Sequence, residues 1–241
     1  MANLARTFEP QEMLTHPERF FRRVYVWELP VRITHWVNAV CITVLFLTGL
    51  YIATPIFSSS GEPANHFLMG RIRQVHFAAG MIFAVSFLLR TYWFFRGNRY
   101  SRSGFPLFWR PSWWREFFGE ALEYLKLQPG RPSLGYNALQ GSAYTLMFVL
   151  GGFEICTGLA LYSETNPGGL LDHLFGWVIP LLGGSFQTRM YHHLVAWAFP
   201  ILAVVHIYIV SYLTVVSGTG LVSSIFGGFK FYRRDEAEND K

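Results

Sequence analysis

Eight histidines are spread through 241 residues, and three of them crowd one apolar stretch, RMYHHLVAWAFPILAVVH, from Arg189 to His206. Imidazole is expensive in hydrocarbon and marks a functional site there. On a helix, residues 14 apart differ by only about 40° and are separated by about 21 Å of rise. His192 and His206 have that spacing, so they share a face at two depths, while His193 is turned well away. His35 and His76 stand near the ends of two other apolar stretches. If these stretches alternate in direction, the four sort into an inner pair, His35 with His206, and an outer pair, His76 with His192. Two neutral imidazoles from different helices at each of two depths are the donor set for two haems, each gripped from both faces in a helical bundle. Zinc would need four ligands converging on one point, which the separation of His192 and His206 forbids.

Such residues need elements to carry them. Half of the chain is hydrophobic and only 15% is charged, against roughly 25% in soluble domains. Four stretches approach the roughly 20 residues that cross a hydrocarbon core: Ile33–Ala53, Ile72–Phe95, Leu139–Tyr162 and Met190–Val216. The expected fold is therefore an all-α integral membrane protein, a single four-transmembrane-helix bundle. Lys and Arg cluster before the first stretch, between the second and third (Arg96 to Arg131) and in the tail; Thr54–Gly70 and Ser163–Thr188 contain none. This asymmetry predicts that both termini and the 96–138 loop are cytoplasmic. The net charge of +5 is then a topology signal, not a nucleic-acid footprint.

Residues 1–30 read as a polar cytoplasmic arm with VYVWELP near the interface, not a cleavable signal peptide, and 217–241 as a cytoplasmic tail. In the middle loop, PSWWREFFGEALEYL reads as an amphipathic helix opened by Pro111. The segment GGLLDHLFGWVIPLLGG is apolar but too interrupted to span, so it reads as an interfacial or re-entrant piece and a docking surface. No internal repeat stands out.

Gly49 lies 14 residues beyond His35, and Gly80 one turn beyond His76, so both suit the close approach of a flat macrocycle. Gly151, Gly152 and Gly158 suit either that or ordinary helix packing. His16, His66 and His173 read as arm or loop residues, and His193 as an interfacial neighbour. Glu154, inside the third stretch, suits either proton movement or a hydrogen bond to a neighbour. Arg32, Arg73, Arg90 and Arg189 suit haem propionates or snorkelling. Cys41 and Cys156 lie within spans and imply no disulfide; no C-x-x-C-H attaches haem covalently.

RITHWVNAVCITVLFLTG (Arg32–Gly49), RMYHHLVAWAFPILAVVH, HFLMGRIRQVHFAAG and GNRYSR together resemble the cytochrome b subunits of membrane-bound, uptake-type nickel–iron hydrogenases, over nearly the whole chain. Tyr191 stands where that family is expected to have Trp, and Pro200 inside the last span is unusual and suits a kink. The resemblance implies the same four ligands, His35, His76, His192 and His206, holding two haem b. It also implies a periplasmic hydrogenase, with its small and large subunits, as electron donor, a membrane quinone as acceptor and a bacterial inner-membrane location. Alternatives are a sister subunit serving formate dehydrogenase or another periplasmic oxidoreductase, and, in another class, a cofactor-free anchor or transporter.

Overall fold

The computed structural model describes residues 21–56, 67–126, 135–217 and 220–233. His16, His66 and Arg131 lie outside them. Four helices are long and apolar enough to cross a membrane: α1 (Leu29–Ala53), α2 (Leu68–Arg96), α5 (Ala138–Ser163), and the pair α8 (Ser185–Ala196) and α9 (Ala198–Ser217), which together make the fourth span. Between them come short α3 (Arg99–Arg102), α4 (Pro111–Leu125), α6 (Leu170–Phe175) and α7 (Val178–Leu181), and α10 (Leu221–Gly227) follows the last span. The spans turn much of their apolar surface outward (Val40, Leu47, Val85, Leu88, Ile201 and Val204 are exposed), as a lipid-facing bundle does.

Local signals set the helix ends. Pro30 starts α1 at a position where a missing N–H costs nothing. Asn98 and Asn137 cap α3 and α5 by accepting the backbone N–H of Ser101 and Gln140. Glu120 of α4 reaches the N-terminus of α5 and accepts the N–H of Leu139 at 3.0 Å. Burial pushes its carboxyl above the ordinary carboxylate range, opposed by the N–H groups of Leu139 and Ala138. The fourth span breaks at Trp197, whose N–H bonds back to Leu194. Pro200 explains the break, because it has no N–H to give the carbonyl of Ala196.

One feature was not anticipated by the all-α expectation. Phe21–Tyr25 (β1) pairs antiparallel with Phe229–Arg233 (β2), from Phe21 opposite Arg233 to Tyr25 opposite Phe229. The strands are five residues each and dense in arginine and lysine, so their alternation is easily taken for a topogenic charge cluster. They tie the approach to α1 to the segment after α9, so both ends of the described chain emerge on one side of the bundle. Behind the sheet, Val26, Trp27 and Val31 form the main buried apolar cluster, against which Trp93, Tyr100 and Tyr136 pack. Glu28 locks this end to α2 by accepting Trp93 Nε1 at 2.9 Å and the N–H of Asn98 at 2.7 Å.

Candidate haem sites

α1 and α2 pack antiparallel and most extensively of all pairs. Their register is plain from three meetings: Glu28 with Trp93, Leu45 with Gly80, and Gly49 with His76. By that register Arg90 of α2 lies at the depth of His35, and His76 lies a full 14 residues farther along α1.

At the first depth, His35 of α1 and His206 of α9 face each other with ring centroids 6.4 Å apart. His35 Nδ1 is buried and has no hydrogen-bond partner among the described residues. Arg90 is only 6% exposed, sits 5.0 Å from the centre of the Tyr144 ring, and has no carboxylate partner among the described residues. Tyr136, next to this cluster, is partly buried; burial pushes its phenol up, opposed by the charge of Arg90 and by a hydrogen bond with its guanidinium. A guanidinium so buried calls for an anion.

At the second depth the two imidazoles are held alike. His76 Nδ1 lies 2.8 Å from Thr48 Oγ1 of α1, and His192 Nδ1 lies 2.8 Å from Thr157 Oγ1 of α5. Each threonine hydroxyl donates its one proton back along its own helix, Thr48 to the carbonyl of Val44 and Thr157 to that of Phe153. The oxygen that faces each histidine is therefore an acceptor, so Nδ1 carries the ring proton and Nε2 keeps its lone pair. The residue after each threonine is glycine. A Cβ on Gly49 would stand 3.4 Å from His76 Cε1, and one on Gly158 would stand 3.3 Å from His192 Cε1. Those glycines let the rings lie against the helix wall. The two imidazoles are within electrostatic reach of each other. Glu154 Oε2 adds a second contact to His192 Nδ1 at 2.9 Å, and its side chain is 11% exposed.

The remaining candidates sort differently. Gly80 meets only Leu45, at an ordinary 3.8 Å, so the closeness it provides is to α1 rather than to a histidine. His193 turns away and pairs with Trp197 Nε1 at 3.4 Å. Arg189 forms an exposed ion pair with Glu164 at 3.1 Å, and Arg32 donates to the carbonyl of Phe226. Of the four candidate arginines only Arg90 is buried. Sequence reasoning missed Thr48 and Thr157. The available signal was the triplet T-G-L, which falls within a span only at 48–50 and 157–159.

Four apolar spans, three of them carrying histidines that meet in pairs at two depths, define a polytopic helical bundle of the cytochrome class. Residues 26–228 match the family described as prokaryotic cytochrome b561, and the chain belongs to that family. Three relatives carry the name probable Ni/Fe-hydrogenase B-type cytochrome subunit, numbered 1 in the last case. The chain is 40% identical to that of Azotobacter chroococcum mcd 1, covering 89% of this chain and 91% of the relative. It is 41% identical to that of Rhodobacter capsulatus (89% and 84%) and 37% identical to that of Escherichia coli K12 (89% and 94%).

A b-type cytochrome holds haem b, and the residues fit that group. With metal–imidazole bonds of about 2 Å, two histidines on opposite sides of one iron have ring centres about 6 Å apart. The 6.4 Å between His35 and His206 agrees. Arg90 offers a buried positive charge at the same depth, suited to a propionate. The Nδ1–H tautomers of His76 and His192 leave Nε2 available, the arrangement of a metal-ligating histidine oriented through its other nitrogen.

Proposed function

We propose that this chain is the di-haem cytochrome of a respiratory hydrogenase complex. It anchors a nickel–iron hydrogenase on the periplasmic face of a bacterial inner membrane and relays that enzyme's electrons to the quinone pool. The observation that carries this reading is the pairing of histidines at two depths, His35 with His206 and His76 with His192, from the first, second and fourth spans. In it, those four residues would hold the two haem irons, Thr48 and Thr157 would orient the outer pair, and Gly49 and Gly158 would give those rings room. Haem b, when bound, supplies a one-electron carrier at each depth.

Several features support the rest. The names of the relatives support a nickel–iron hydrogenase as the donor enzyme. The absence of Lys and Arg from Thr54–Gly70 and Ser163–Thr188 supports a periplasmic position for the ends of α1 and α5. Between α5 and the fourth span, Leu170, Leu174, Trp177 and Leu181 are exposed on α6, the turn after it and α7, an apolar surface suited to a partner. Quinone follows as the acceptor because electrons that reach the His35–His206 depth need a lipid-soluble carrier to leave by.

The test uses membranes in which the chain is present with its hydrogenase. Hydrogen is expected to reduce b-type haem and then quinone. In membranes from a strain lacking only this chain, hydrogen should still reduce an artificial dye but not quinone. Unchanged hydrogen-dependent quinone reduction in that strain would overturn the reading.

A further inference from the structure

The two outer histidines are clamped alike by threonine and glycine, yet they differ in one respect. Among the described residues His76 Nδ1 meets neutral acceptors only, the hydroxyl of Thr48 and the carbonyl of Leu45. His192 Nδ1 meets the hydroxyl of Thr157 and also a carboxylate, Glu154 Oε2, at 2.9 Å. Glu154 Oε1 is buried without a hydrogen-bond partner among the described residues. Glu154 Oε2 thus lies beside the ring nitrogen that carries the His192 proton, a contact that is strongest when the carboxyl is an anion. At the other depth, no carboxylate hydrogen-bonds to His35 Nδ1 among the described residues.

We infer that Glu154 is a positioning residue that lowers the reduction potential of the outer haem relative to the inner one. The inference rests on the two-haem reading and goes beyond it. Two physical effects act in the same direction. A carboxylate accepting from Nδ1 makes the imidazole a stronger donor through Nε2, which favours the ferric state. A ferric haem core is also one charge more positive than a ferrous one, so a fixed anion in a low-dielectric span stabilises the oxidised form. The consequence is directional. With the outer haem at the lower potential, an electron delivered from the periplasmic side is drawn inward, and its return is disfavoured.

The experiment is a redox titration of the purified full-length cytochrome, followed by its optical bands, for the wild type and Glu154→Gln. Glutamine keeps an acceptor oxygen beside His192 and removes the charge. The expected result is that both haems are retained and one midpoint potential rises while the other stays. The potential that moves should be the one missing from His192→Ala. If Glu154→Gln fails to hold both haems, the same comparison is made with Glu154→Asp, whose carboxylate stands one methylene farther back; a rise in that one potential supports the inference. Unchanged potentials, or movement of the haem that survives in His192→Ala, would overturn it. A wild-type protein with fewer than two haems would instead remove the two-haem reading beneath it.

Discussion

His192 and His193 are neighbours in the chain and opposites in role, so they make the sharpest contrast at the scale of single residues. His192 is oriented by Thr157 and Glu154, while His193 leans on Trp197. His192→Ala should therefore lose one of two haems, and His193→Ala should keep both, as counted by pyridine haemochrome. Thr48→Val and Thr157→Val remove the acceptor that fixes each outer ring. Loss of such a supporting partner typically weakens metal binding by about 10–100-fold, so each variant should lose outer haem faster than the wild type when challenged with apomyoglobin. Equal rates would show that the hydroxyls do not matter. The two histidine depths were legible because residue counting gives the approximate rise along a span, and the break at Trp197 does not stop His206 from meeting His35. Thr48 and Thr157 were not, because which threonine meets which histidine depends on the register between two helices.

Among the elements, the spans were readable from hydropathy, and the break in the fourth from Pro200. The sheet was not, since five-residue strands such as FKFYR carry little periodic signal, and their pairing partner lies some two hundred residues away. Lys230 in β2 makes that sheet sensitive to pH. It is 3% exposed, its ammonium lies 5.4 Å from the centre of the Trp27 ring, and burial pushes it down to about 8 from 10.5. Between these values the unfolded chain binds the proton and the folded one does not. The stabilisation by the neutral form is thus complete above about pH 10.5, declines as pH falls, and is gone below about 8. Thermal melts in detergent should shift upward from pH 8 to 10, and Lys230→Met should melt higher than the wild type at pH 7 with a flatter pH profile. A melting temperature that does not change between pH 8 and 10 would contradict this account of Lys230.

For the whole molecule, the pairing of β1 with β2 brings the segments before α1 and after α9 to one side, and on the topology proposed from the charge asymmetry that side is cytoplasmic. A fluorescent protein fused after Lys241 should therefore fold and fluoresce, while alkaline phosphatase fused there should be inactive; the reverse pattern would invert the topology and move the α6–α7 surface to the cytoplasmic face. The central claim is that one chain carries electrons across the membrane between two bis-histidine depths. Its most direct test is the amount of haem b per polypeptide in the purified cytochrome, measured by pyridine haemochrome against quantitative amino-acid analysis. The account predicts two low-spin haems per chain. A single haem, or none, would contradict it.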